Sequence, residues 1–208
     1  KRTDSPITLV RNGSFEQWAS TTSLREDWTV TNGTVTRIGV GEATTDRKAG
    51  IYAARLTPTA GQSTVHVGYT VSSSGGEDPP NAKLLHDDIE GDPVTVSFWA
   101  KRAAGTQSGS VQFSYDGGAA VDTISLVGIS TSWQRFQVTA ITRTGDSLAV
   151  RVASNVGVVD NAMILDIDCM TVTVGETGGT DACDMLERSV REGAHVVAFS
   201  ATPTFHAA

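Results

Sequence analysis

The chain has 208 residues, a formal net charge of -7 and only 19 % charged side chains. Its 16 lysines and arginines are scattered, so no basic stripe exists to neutralise phosphates, and nucleic acid is excluded as an expected partner. No apolar run approaches the roughly 20 residues needed to cross a bilayer, which excludes membrane insertion by a helix.

A chain of this length buries a sizeable core, and all-β sandwiches of roughly 150 to 250 residues commonly form one domain. Thr, Val and Ser recur in short runs broken by Gly, Asn or Asp, a composition that favours strands. The chain opens at Lys1 without a charged-then-apolar leader, so it reads as soluble and as processed or cut from something longer. Cys169 and Cys183 are too few for a disulfide framework and lack zinc-type partners. A bridge between them would pin the tail to the last strand, and requires their Cα atoms within roughly 7 Å.

In chain order, residues 8–18 read as an opening strand and turn. Asp27 to Val40 sets Trp28, Val30 and Val35 among polar residues around Asn32-Gly33, a hairpin signal. Residues 50–56 place Ile51, Ala53 and Arg55 on one face and Tyr52, Ala54 and Leu56 on the other. Residues 63–71 set Val65, Val67, Tyr69 and Val71 together with His66 opposite. Ser72-Ser-Ser-Gly-Gly-Glu-Asp-Pro-Pro80 cannot continue a strand, so residues 72–92 read as a surface excursion. Val94, Val96, Phe98 and Ala100 then alternate with Thr95, Ser97, Trp99 and Lys101, a strand that turns Trp99 away from the core. Further strands over 110–115, 123–127, 133–141, 147–154 and 163–174 complete an antiparallel sandwich.

From Gly175 the pattern changes. A Gly-rich joint leads to Asp181–Glu192, where Met185, Leu186 and Val190 at helical spacing behind an Asp181 cap predict a short amphipathic helix. His195 to Ala208 carries Val196, Val197, Phe199 and Phe205 in a stretch too short to fold alone, which either packs back on the sandwich or docks on a partner. The expected organisation is a sandwich over residues 1–174, with a joint, helix and tail for docking or assembly over 175–208.

Several stretches, taken in order, resemble the jelly-roll carbohydrate-binding modules of families four, nine and twenty-two. They are Asn12-Gly-Ser-Phe-Glu16 followed by Trp28, Asp46-Arg-Lys-Ala-Gly-Ile-Tyr-Ala-Ala-Arg-Leu56, Val94-Thr-Val-Ser-Phe-Trp-Ala-Lys101, Trp133-Gln-Arg-Phe-Gln-Val-Thr139 and Ile167-Asp168-Cys-Met-Thr-Val172. The likeness spans roughly residues 8–174 and implies an all-β, antiparallel jelly-roll sandwich with Trp28 and Trp133 at core positions. Domains of this type also occur in tail, fibre and decoration proteins of bacteriophages.

The resemblance further implies one structural calcium ion, held at positions matching Glu16, the backbone around Lys48 to Gly50, and Asp168. Asp168 shares strand parity with Met170 and Val172, which would turn its carboxylate inward, where a cation offsets the cost of burial. Asp166 is the spare candidate, and Cys169 stands where the family often has a second acid. The alternative is that Glu16 and Asp168 bond to nearby backbone or to Arg47. For sugar recognition, aromatic faces stack on pyranose rings while polar groups reach the hydroxyls. The outward faces offer Trp99, His66, Gln112, Arg151 and Lys101 as one glycan-binding face; the alternative for Trp99 is cover by a loop such as 72–92. No nucleophile elbow, HExxH, phosphate loop or usable Ser-His-Asp order is present. Asp87-Asp88 has no reason for a raised pKa, so acid-base chemistry lacks a seat.

The expected function is a non-catalytic structural or adhesion protein of a virion, extracellular or on the virion surface. Its expected partners are glycans or other surface proteins, with assembly through residues 175–208. The other expectation is an accessory glycan-binding module of a secreted polysaccharide-degrading enzyme.

Overall fold

The computed structural model describes residues 9–10, 12–25, 28–59, 64–72, 90–106, 109–115, 122–143, 147–155 and 163–175. In chain order the strands are β1 (Trp18–Ser20), β2 (Ser23–Leu24), β3 (Trp28–Thr31), β4 (Gly33–Gly39), β5 (Tyr52–Pro58) and β6 (Thr64–Ser72). They continue with β7 (Pro93–Ala104), β8 (Gly109–Ser114), β9 (Asp122–Leu126), β10 (Gln134–Ile141), β11 (Ser147–Asn155) and β12 (Ile164–Val174). Among the described residues there is no helix. The expected helix over Asp181–Glu192, the tail after Gly175 and most of the excursion lie outside the described residues.

Two five-stranded antiparallel sheets form the sandwich: sheet I in the order β10-β7-β12-β5-β4, and sheet II in the order β3-β6-β11-β8-β9. This is the antiparallel sandwich that the spacing of strands and turns predicts, and the jelly-roll architecture that the family resemblance implies. Alternation drives it. Val94, Val96, Phe98 and Ala100 of β7 and Ala54 and Leu56 of β5 face Val67, Val111, Phe113, Leu148, Val150 and Val152 of the other sheet, all buried in one cluster. Each fully buried large apolar side chain in such a layer contributes roughly 1.5–3 kcal/mol. Phe15 and Trp28 lie 4.9 Å apart at one end, and Phe98 and Phe136 stack at 5.7 Å in the middle.

Three details correct the sequence reading. Asn32-Gly33 is a tight turn with Asn32 at φ 58, but β3 pairs with β6 and β4 with β5, so the turn passes the chain between sheets instead of closing a hairpin. Turn chemistry reports local backbone, and says nothing about which strands then pair. A small hairpin, β1 with β2 and Trp18 opposite Leu24, was not expected.

The third correction concerns β12. Its register slips between Asp168 and Thr171, and Cys169 sits at φ 52, a β-bulge that adds one residue and reverses side-chain parity. Leu165, Ile167, Met170 and Val172 therefore all reach the core, while Asp166 and Asp168 turn to the outer face of sheet I. Strand parity read without the bulge places Asp168 inward; the structure places it outward.

Candidate functional site

Asp168 is buried although it faces out. The β4–β5 connection folds over it: the N–H groups of Lys48 and Ala49 both donate to Asp168 Oδ2 at 3.1 Å, and the Cys169 N–H donates to Oδ1 at 2.7 Å. Glu16 is held by the same connection, its Oε1 accepting from Ile51 N–H at 2.8 Å and Tyr52 N–H at 3.3 Å. Burial pushes the Asp168 carboxyl up to about 7 against these donors, and the charge of Glu16 adds to the rise. Burial likewise raises Glu16, opposed by the two N–H groups and by Arg47. The expected trio of Glu16, Lys48 and Asp168 is thus brought together, with the Lys48 backbone contributing its N–H. Backbone bonding of both acids, the alternative weighed from sequence, is also what the geometry contains. Among the described residues no cluster of three or more His, Cys, Asp or Glu side chains is present. The two desolvated carboxylates repel one another, and three of their four oxygens accept backbone N–H groups.

Trp99 belongs to this site. It is the register partner of Asp168 on one side and of Arg135 on the other. Its ring packs on Ala49 and Cys169 and carries the Lys48 ammonium 4.2 Å from its centroid. The cover comes from residues 48–49, and the ring remains partly exposed.

Lys101, two residues on, is buried in an ion network. Its ammonium is bonded to Asp46, lies 3.6 Å from Asp166 Oδ2 and 5.5 Å from the Trp133 ring centroid. Asp166, fully buried, takes a two-point bond from Arg55, at 2.7 Å to Oδ1 and 2.9 Å to Oδ2. The Lys101 hydrogen bond holds the Asp46 carboxyl below its usual range, and the Asp166 hydrogen bond raises the Arg55 guanidinium. Trp133, whose Nε1–H donates to Asp46 at 3.0 Å, joins this network and is absent from the core cluster, unlike Trp28. The network escaped the sequence because its members become neighbours only through strand register.

Gln112 and Arg151 lie on the other side of the molecule. They face each other in register on β8 and β11, and the row extends to Gly68 and Thr29 on one side and to Thr123 on the other. It crosses all five strands of sheet II, about 19 Å at the usual strand spacing. Gly68 has a reason to be glycine: a Cβ there would meet Arg151 Cγ at 3.0 Å. The Arg151 stem therefore lies flat across β6, and a glycine inside a strand is the signal that would have marked this approach. His66 is paired with Ala153 in the neighbouring row; its side chain lies outside the described residues. The single glycan face expected from Trp99, Lys101, His66, Gln112 and Arg151 is thus split between two sheets, with Trp99 and Lys101 engaged within sheet I.

No family model matches the sequence, and no curated protein is similar to it. Its fold is nevertheless that of solved carbohydrate-binding modules. The xylan-binding CBM22-1 domain of Paenibacillus barcinonensis Xyn10C superposes with a TM-score of 0.52 at 14% identity, over 85% of this chain and 100% of that one. An enzymatically active domain of tailspike protein 4 of bacteriophage CBA120 gives 0.50 at 19% identity, over 81% of this chain but only 21% of that chain. An arabinose-bound GH51 α-L-arabinofuranosidase gives 0.53 at 10% identity, over 82% of this chain and 26% of that one. The chain thus spans a fifth to a quarter of the larger proteins and the whole of the binding domain. At these identities the likeness establishes the fold. Among the described residues no helix is long and apolar enough to cross a membrane.

Proposed function

We propose that this chain is a non-catalytic adhesion module that binds extended polysaccharide across the outer face of sheet II. The observation that carries the proposal is the row Thr29, Gly68, Arg151, Gln112 and Thr123. It sets a guanidinium and an amide side by side on a flat strip long enough for several sugar rings, with Gly68 keeping the strip low. Among the residues whose side chains are described, this face carries Thr, Ser, Ala, Gly, Gln and Arg, which recognise sugars through hydrogen bonds to hydroxyls. A glycan array followed by calorimetry on the best oligosaccharide tests this. Arg151→Ala and Gln112→Ala each weaken binding by roughly 10-fold, the loss of about one hydrogen bond. Unchanged affinity in both variants would remove sheet II as the site.

The setting we favour is a virion surface or another extracellular structure, supported by the fold shared with the phage tailspike domain. The xylan-binding domain of Xyn10C supports the other setting, an accessory module beside a polysaccharide-degrading enzyme. The two differ in the parent chain and not in the chemistry of the strip. A calcium-sized cation at Glu16 and Asp168 belongs to the same proposal: two carboxylates, completed by carbonyl and water oxygens, would hold it, and it would stabilise the connection over Trp99 and take no part in binding sugar.

A further inference from the structure

Two clefts of similar size flank β9. The one beside Asp122, about 380 Å³, contains Arg143, whose guanidinium is neutralised by Asp122 at 2.6 Å. The other, about 370 Å³, lies where the chain leaves β9 for β10 and is lined by Arg102, Thr106, Ser125, Leu126, Val127 and Ile129.

Arg102 stands near the end of β7 and is the register partner of Leu165. Leu165 is a core residue, so the Arg102 side chain leaves the backbone on the core side of sheet I. Its N–H donates to Ser130 O at 2.7 Å, which ties β7 to the connection that forms the other wall of the cleft. The side chain is partly buried, and among the described residues its guanidinium has no hydrogen-bond or ion-pair partner. Arg37, Arg55 and Arg143, by contrast, each have a carboxylate within 2.7 Å. A partly desolvated cation without a counter-ion, in a chain of net charge -7, marks a place for an anion.

The rest of the lining defines the kind of anion. Leu126 and Ile129 form an apolar wall against the core, and Ser125 and Thr106 set exposed hydroxyls at the rim. Val127 is 86 % exposed at the mouth, and Gly128 turns the chain at φ 78 with open space where a Cβ would stand. One guanidinium, two hydroxyls and an apolar wall suit a sugar ring that carries a carboxylate. The volume is at the small end of the range for ligand pockets, roughly 300–1,000 Å³, and so suits one ring and not a chain. Ser125 shares the outward face of β9 with Thr123, two residues away, so the cleft opens about 7 Å from the end of the sheet II strip.

We propose that this cleft binds one hexuronate unit of an acidic polysaccharide, with the carboxylate on Arg102, the C–H face of the ring on Leu126 and Ile129, and hydroxyls on Ser125 and Thr106. The polymer rests on the sheet II reading; the pocket stands on its own geometry.

The test is an amide NMR titration of the full-length chain with sodium glucuronate, with glucose as the uncharged sugar and sodium acetate as the bare carboxylate. Glucuronate is expected to bind in the millimolar range, to shift the amides of Arg102, Ser125 and Ile129, and to bind at least about tenfold more tightly than either control. Arg102→Met should abolish this binding and Arg102→Lys should keep part of it. Val127→Glu, on a side chain too exposed to endanger folding, sets a negative charge at the mouth and should weaken glucuronate about tenfold while leaving glucose unchanged. Arg151→Ala should leave glucuronate binding intact, so the pocket and the strip are judged separately. Glucose or acetate binding as tightly as glucuronate would overturn the proposal. So would unchanged glucuronate affinity in Val127→Glu or in a folded Arg102→Met chain.

Discussion

Trp99 and Asp168 are register partners across β7 and β12, and one short connection, residues 46–50, covers both. The aromatic side chain that looks most like a sugar platform and the carboxylate that looks most like a metal ligand are parts of one assembly, the ring partly buried and the carboxylate fully so.

Replacing Trp99 should therefore be felt as stability and not as glycan affinity. Trp99→Ala opens the packing on Ala49 and Cys169 and frees Lys48, for an expected loss of roughly 3 kcal/mol. Chemical denaturation measures this, and calorimetry on the same variant should show sugar binding retained. Lost binding with unchanged stability would return Trp99 to the glycan face.

Calcium gives a second outcome. At a free concentration 100 times its Kd, a bound ion adds about 2.7 kcal/mol, or roughly 5–10 °C in Tm for a domain of this size. Differential scanning calorimetry in chelator and in millimolar calcium should show that rise, and Asp168→Asn should abolish it. A melting point indifferent to calcium would leave backbone bonding as the whole role of Glu16 and Asp168.

Asp166 should be among the least replaceable surface-facing residues. Asp166→Ala leaves the partly buried Arg55 without its carboxylate and Lys101 with Asp46 alone, a loss towards the lower end of about 3–5 kcal/mol. The double change Asp166→Ala with Arg55→Met should recover part of it, because the unpaired charge is then removed as well. Urea titrations of the two variants decide the matter, and additive losses would mean that the residues act separately.

Tyr115 gives a signature in alkali. Burial, reinforced by Asp122, pushes its phenol up to about 12, and its hydroxyl donates to Ile141 O at 3.1 Å. A folded pKa above the unfolded value of about 10 means that the folded state holds the proton longer. Its stabilising contribution is complete below about pH 10 and disappears as pH rises towards 12. The Tm difference between the natural chain and Tyr115→Phe should shrink over that window, and a constant difference would contradict the assignment.

Most of the fold was legible because period-two alternation and turn residues are local signals, and β7 could be read residue by residue. What the sequence hid depends on one residue or on pairing across distance. The bulge at Cys169 reverses the parity of Asp168, yet nothing in Asp-Cys-Met announces it. Arg55, Asp166, Lys101 and Asp46 lie far apart in the chain and meet only through register. The split of the expected glycan face has the same origin, since outward parity can be read from a strand but not the sheet to which that strand belongs.

The Asn32-Gly33 turn has a mechanical consequence. It joins β3, an edge of sheet II, directly to β4, an edge of sheet I, so that flank of the sandwich is closed by the backbone itself. The opposite flank, where β9 meets β10, is joined by the longer connection of residues 127–133. A cleft of about 380 Å³ lies there between Thr123, Ile124, Thr139, Ala140 and Ile141, spanned by the hydrogen bond from Tyr115 to Ile141. Backbone thus closes both flanks, tightly at Asn32 and loosely at residues 127–133, and thermal opening should begin at the looser one, at β9 and β10. Amide exchange should run fastest in these two strands and slowest along β12 and β7.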